Sequence, residues 1–210
     1  MISHIARGAL MLAVLLGAGP TRAEEGGVGF DLTLHGGLDK YDSVGLRSGL
    51  SSSSFTDGQR LKDTSQSYGL TGILRLGMFD VGALVELGRP GRDNNTMAIG
   101  VLGGLNLLLG SLQLEALGEL GGHRYGDALH NSAVIADSSR SDWLAYVGLR
   151  PGIAVHLGEG GRILLGLWAF ARWDVTSKDI PVTMADGTRN GSYKLGGTQF
   201  GAALRLGLSF

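Results

Sequence analysis

The sequence predicts an all-β chain, an antiparallel up-and-down barrel of eight strands. Three observations predict it. Thirty-seven of the 210 residues are glycine, a proportion that weakens helices along the whole chain. From Val28 onward apolar residues recur with period 2 rather than 3.6. The connections between the alternating segments switch regularly between short and long, the signature of a meander.

Composition sets the outer bounds. Hydrophobic residues make up 43% at a net charge of −1, which excludes a disordered chain. Four prolines without a Gly-X-Y period exclude collagen. The absence of cysteine excludes disulfides, thiolate metal sites and cysteine nucleophiles. The nearly balanced charge gives no reason to expect a nucleic-acid partner. No cofactor and no metal is expected, and His35 and His156 read as interior hydrogen-bonding groups. Gly-x-Gly runs such as the one around Gly100 lack the helix a nucleotide site needs, and read as strand glycines.

Residues 1–23 read as a cleavable signal peptide. Arg7 precedes the apolar run Ala9–Gly19, and Thr21 and Ala23 form a small-residue cleavage site. Eleven apolar residues are too few for a spanning helix, which needs about 20. The barrel is expected over 24–210.

Segment one places Val28, Phe30, Leu32 and Leu34 on one face and Asp31, Thr33 and His35 on the other. Segment two (67–78) sets Tyr68, Leu70, Leu74, Leu76 and Met78 against Thr71 and Arg75. Segment three (79–88) alternates Phe79, Val81, Ala83, Val85 and Leu87 with Asp80 and Glu86. Segment four (96–107) runs through Met97, Ile99, Val101, Leu105 and Leu107 opposite Gly100, Gly104 and Asn106. Segment five (112–124) opposes Leu112, Leu114, Ala116 and Leu120 to Gln113, Glu115, Glu119 and His123. Segment six (142–157) opposes Trp143, Ala145, Val147, Leu149, Ile153 and Val155 to Tyr146, Arg150 and His156. Pro151 predicts a bulge or local bend there. Segment seven (162–173) is apolar on both faces and is phased by Arg162 and Arg172, which puts Ile163, Leu165, Leu167 and Trp173 on the apolar side. Segment eight (193–210) alternates Phe200, Ala202, Leu204, Leu206, Leu208 and Phe210 with Gln199, Gly201 and Arg205.

Tight turns are expected at Gly77–Asp80, Leu108–Ser111 and Gly158–Gly161, and polar loops at 39–66, 89–95, 125–141 and 174–192. Period 2 alone does not choose between a soluble barrel, apolar inside, and a membrane barrel, apolar outside. Four features favour lipid. Segments of about 10–13 residues, tilted by about 40°, cover an apolar band about 25 Å tall. No lysine falls in mid-segment. Apolar-face aromatics fall at segment ends, with Tyr68, Trp143 and Trp173 on the loop side and Phe30, Phe79 and Phe210 on the turn side, as two interfacial girdles require. The last segment runs through to Phe210, and closure pairs the backbone within lipid.

With these features the chain resembles the small eight-stranded bacterial outer-membrane barrels of the OmpA/OmpX type over about 28–210. The resemblance implies an outer-membrane location, contact with outer-membrane lipid, and delivery by the outer-membrane assembly machinery reading the alternating C-terminal strand and its terminal aromatic, Phe210.

On the interior face, direction of travel puts Asp31, Arg75, Glu115 and Arg205 near the turn end, and His35, Glu86, Glu119 and Arg150 nearer the middle. Buried charge needs partners. The first and last strands adjoin, so Asp31 is expected to meet Arg205; the fifth and sixth adjoin, so Glu119 is expected to meet Arg150. The result is a polar network filling the lumen, with interior glycines making room for long side chains.

The function this implies is structural or surface-interacting, with loops 39–66 and 174–192 offered to an unknown ligand. The alternative is a narrow channel for ions or small solutes gated by the lumen salt bridges. A remote alternative is a hydrolase or acyltransferase using His123, His130, Ser132, Asp137 and Ser141, but loop spacing alone does not build a catalytic constellation. The chain is therefore expected not to be an enzyme.

Overall fold

A computed structural model of the chain describes residues 28–42, 64–89, 95–126, 142–183 and 189–210. The expected signal peptide and much of the four expected loops lie outside these residues. The described residues form ten strands: β1 (Val28–Asp42), β2 (Thr64–Leu76), β3 (Phe79–Arg89), β4 (Asn95–Leu109), β5 (Leu112–Gly126), β6 (Asp142–Leu157), β7 (Ile163–Asp174), β8 (Lys178–Thr183), β9 (Arg189–Leu195) and β10 (Thr198–Ser209). Eight of them close into a barrel in the order β1-β10-β7-β6-β5-β4-β3-β2, and β8 and β9 form a separate two-stranded sheet. All neighbouring barrel strands are antiparallel. The seam is sealed by reciprocal backbone hydrogen bonds, Phe30 N–H to Phe210 O at 3.0 Å and Phe210 N–H to Phe30 O at 2.9 Å.

The turns follow the sequence. Gly77 and Gly110 each open a two-residue turn with positive φ, 66° and 63°, a conformation that other L-residues adopt only with strain. The third is a single 3₁₀ turn, Glu159–Gly161. The phase of β7, the segment apolar on both faces, is the one set by its flanking arginines: Ile163, Leu165, Leu167 and Trp173 face outward and Arg172 is buried.

The last segment differs from expectation. It does not run unbroken from 193, because Gly196 adopts φ 125° and ends the alternation, and the barrel strand restarts at Thr198. The expected polar loop 174–192 is largely the β8–β9 hairpin. Pro151 adds no residue to its strand. The β6–β7 register is the same on both sides of it, Leu149 opposite Ala171 and Gly152 opposite Trp168, and the ladder is interrupted only across Arg150 and Pro151. The missing proline N–H removes a bond without shifting the pairing.

Inside and outside are sharply divided. Leu34, Tyr68, Val101, Leu120, Leu149 and Leu204 are all more than half exposed, while Asp31, Glu119, Arg150, Arg172 and Arg205 are at most 2% exposed. In water this is an inverted protein. In a bilayer it is the stable arrangement, with an apolar exterior, a largely polar interior and the barrel strands closed on one another. Charged side chains on the outer face, Lys40 and Arg124, lie at its loop end.

Glycine makes this interior possible. Across adjacent strands, inward residues pair large with small: Ile73 with Gly82, Leu84 with Gly100, Leu117 with Gly104, Tyr146 with Gly121, Trp168 with Gly152, and Arg205 with Gly166. A Cβ on Gly152 would lie 2.3 Å from Trp168 Cδ1 and 3.0 Å from Glu115 Oε2. A barrel this narrow holds long side chains only where the neighbouring strand offers none. The lumen is not wholly polar: Ile73, Leu84, Leu102, Leu117 and Trp168 form an apolar cluster within it.

Candidate functional site in the barrel lumen

Midway along the lumen two carboxylates and two guanidiniums interlock. Glu86 on β3 receives both ends of Arg172 from β7, at 2.6 Å and 3.2 Å, and Arg150 Nη2 from β6 at 3.2 Å. Glu119 on β5 receives Nε of Arg150 and, at 2.7 Å, Nε of Arg172. His35 Nε2 lies 3.1 Å from Glu86, and its Nδ1 lies 3.4 Å from Thr71 Oγ1. The four formal charges cancel, as a low-dielectric interior requires.

The arginines are also stacked. Arg205 lies 4.3 Å from the Trp168 ring centroid and Arg150 5.1 Å from it. Arg150 and Arg172 each lie 4.9 Å from the Phe170 centroid, and Arg172 lies 5.3 Å from that of Tyr146. Inward positions of β7, alternating as Trp168, Phe170 and Arg172, thus build half of a ladder of rings and guanidiniums along the lumen.

Nearer the turns lies a second cluster. Arg75 pairs with Asp31 and lies 3.6 Å from Glu115; Arg205 lies 2.6 Å from Glu115. Trp168 Nε1–H donates to Glu115 at 2.9 Å, and the Gln113 amide donates to it as well. His156 faces Gln113 Oε1 at 2.6 Å and the Gly161 carbonyl at 3.0 Å. Toward the loops, Asp39 receives Ser65 Oγ–H at 2.7 Å and the Gln199 amide, and His123 lies 3.7 Å from Asp174.

All eight residues expected in the lumen, Asp31, His35, Arg75, Glu86, Glu115, Glu119, Arg150 and Arg205, therefore lie there, and Glu119 meets Arg150. Asp31 does not meet Arg205. The β1–β10 register puts Asp31 opposite Ser209 and Arg205 opposite His35, so Arg205 sits deeper and reaches across to Glu115, while Asp31 takes Arg75. Arg172 belongs to the network as fully as Arg150. Its burial follows from the same alternation that phased β7. The same alternation puts Trp168 and Phe170 on the inward face with Arg172.

Phe30, Phe79 and Phe210 lie at the turn end, and Tyr68, Trp143 and Trp173 at the loop end; Phe30 and Phe210 stack with centroids 6.4 Å apart. Of the residues weighed for catalysis, His123 faces inward beside Asp174, and His130, Ser132, Asp137 and Ser141 lie outside the described residues. Among the described residues no group of three or more His, Cys, Asp or Glu could hold a metal ion.

No protein-family model matches the chain, and a search of curated proteins gives no match. Among solved structures, the outer membrane protein OprG from Pseudomonas aeruginosa matches with a TM-score of 0.54 at 10% identity, over 91% of this chain and 99% of that one. Neisserial surface protein A matches with a TM-score of 0.49 at 11% identity, over 84% and 96%. The attachment invasion locus protein Ail of Yersinia pestis matches at 0.45 and 12%, over 89% and 100%. The fold is that of the small bacterial outer-membrane β-barrels.

Proposed function

We propose that the chain is a closed, non-conducting outer-membrane barrel with a structural or surface-interaction role, carrying its long connections and the β8–β9 hairpin beyond the membrane. The observation that carries this reading is the burial of the middle cluster. Glu86, Glu119, Arg150, Arg172 and Trp168 come from β3, β5, β6 and β7, and each is at most 2% exposed. A water-filled path would expose them. Segments 39–66 and 174–192 are the candidates for contact with a surface ligand, and the alternating strand ending at Phe210 is the candidate signal for the assembly machinery. The reading assigns no catalysis.

Purified protein in planar bilayers tests the reading. The expected result is no stable conductance step across voltage and salt. Stable steps in the wild type, altered by Glu119→Ala or Arg150→Ala, would replace it with the narrow channel gated by the lumen salt bridges.

A further inference from the structure

An apolar layer crosses the lumen between the two charge clusters. Along β5 the inward residues run Gln113, Glu115, Leu117, Glu119, so Leu117 separates the turn-end carboxylate from the middle one. β3 repeats the order with Asp80, Gly82, Leu84 and Glu86. On β2, Ile73 stands between Arg75, which pairs with Asp31, and Thr71, which meets His35. On β4, Leu102 stands two inward positions beyond Asn106, the partner of Asp80. Trp168 closes the layer from β7. These five side chains form one cluster, and each is at most 3% exposed.

The layer interrupts the polar network. Among the described residues no hydrogen bond or ion pair joins Asp31, Arg75, Asp80, Glu115 or Arg205 on its turn side to His35, Glu86, Glu119, Arg150 or Arg172 on its loop side. Trp168 gives its indole N–H to Glu115 and offers Arg150 only its ring. Packing keeps the layer dry. A Cβ on Gly82 would lie 3.1 Å from Ile73 Cγ1, and one on Gly152 would lie 2.3 Å from Trp168 Cδ1. Space too small for a carbon atom holds no water, and water enters a buried site only where it finds two or more polar partners.

We propose that this apolar layer, and not the salt-bridged cluster beside it, is the permeability barrier of the barrel, and that the species it excludes are protons and small ions. The inference rests on the closed, non-conducting reading and names the residues that make the barrel so. An ion moving through either charge cluster exchanges hydration for carboxylates and guanidiniums. Between Ile73, Leu84, Leu102, Leu117 and Trp168 it exchanges hydration for nothing. A chain of waters carrying protons loses its hydrogen bonds at the same place.

Proton flux into phosphatidylcholine vesicles holding the folded protein and an entrapped pH dye, under a pH gradient with potassium and valinomycin, tests the assignment. Leu102→Asn with Leu117→Asn puts hydrogen-bonding groups of no greater volume into the layer. Glu119→Ala with Arg150→Ala hollows the charge cluster, stays neutral, and leaves the five apolar residues in place. Heat-resistant mobility on gel electrophoresis selects folded protein in each case, and Leu84→Thr, a smaller change, carries the same expectation if the asparagine pair does not fold. Wild type is expected to match protein-free vesicles, the asparagine variant to raise the flux about tenfold or more, and the alanine variant to stay at the wild-type rate. A tight asparagine variant, or a leaky alanine variant, would overturn the proposal. Flux through the wild type would overturn the closed reading itself, and the proposal with it.

Discussion

Removing Glu119 and Arg150 together should damage the barrel by less than the sum of removing each alone. Glu119 is buried and accepts Nε of both Arg150 and Arg172. Glu119→Ala leaves two guanidiniums facing the single carboxylate Glu86, a net positive charge with little access to water. Breaking a buried pair from one side typically costs about 3–5 kcal/mol. Arg150→Ala inverts the imbalance, leaving two carboxylates on Arg172, at a similar cost of about 3–5 kcal/mol, together with the loss of contacts to Trp168 and Phe170. The double variant keeps Glu86 with Arg172 at 2.6 Å and is neutral again. Its cost should fall short of the sum of the two single costs by about 2 kcal/mol or more, at the upper end of coupling energies for contacting residues. Urea unfolding of the protein in lipid vesicles, followed by tryptophan fluorescence, measures all four corners of the cycle. Additivity within about 0.5 kcal/mol would refute the claim that these charges are held by one another.

Three further outcomes follow from the packing and the exterior. Gly152→Val should destabilise the barrel by at least about 1–3 kcal/mol through overpacking against Trp168, and adding Trp168→Leu should recover part of that loss; a Gly152 variant as stable as wild type would contradict the large–small pairing. On the outer face, Val101→Arg near mid-strand should cost about 2–4 kcal/mol and Leu109→Arg at the turn end about 0–1 kcal/mol, so equal effects would deny a depth-dependent lipid face. Replacing residues 180–193 by a short turn should leave the unfolding midpoint near that of wild type, because the hairpin pairs with itself outside the closed ladder; loss of heat-resistant folded protein on gel electrophoresis would show otherwise.

Much of the architecture was legible because a half-buried strand repeats every two residues whichever side faces lipid. Val28–His35 and Leu112–His123 show this directly, since one set of alternate residues carries no polar side chain and the other holds every Asp, Thr, Gln, Glu and His of the stretch. Even β7 was phased correctly, by Arg172 within it; Arg162 lies exposed in the turn before the strand. Residue 196 shows the limit of the method. The stretch from 193 reads as one segment, yet Tyr193 and Leu195 are odd-numbered and Phe200 even, and that change of phase falls at Gly196, whose left-handed backbone separates the hairpin from the barrel. The Gly196-Gly197 pair was the available signal. The pairing of Asp31 was illegible for a different reason. Neighbouring strands in the barrel order do not give register, and β10 is staggered so that Arg205 meets His35 rather than Asp31. Trp168 and Phe170 follow from the phase that Arg172 sets, since they share its parity, although neither carries a polar group that would have set the phase by itself. A second mark lies across the ladder, in the glycines Gly152 and Gly201 opposite them.

The central claim is a barrel with lipid outside and a sealed, charge-filled interior. The natural chain has no cysteine, so single cysteines can be placed at 113–120 of β5 one at a time without background. Spin labels at these sites in lipid vesicles report collisions with oxygen dissolved in the bilayer and with a water-soluble nickel chelate. Positions 114, 116, 118 and 120 should meet oxygen and not nickel, and positions 113, 115, 117 and 119 should meet neither. Strong nickel access at the odd positions would reveal an open aqueous lumen, and nickel access at the even ones would place that face in water; either result would contradict the claim.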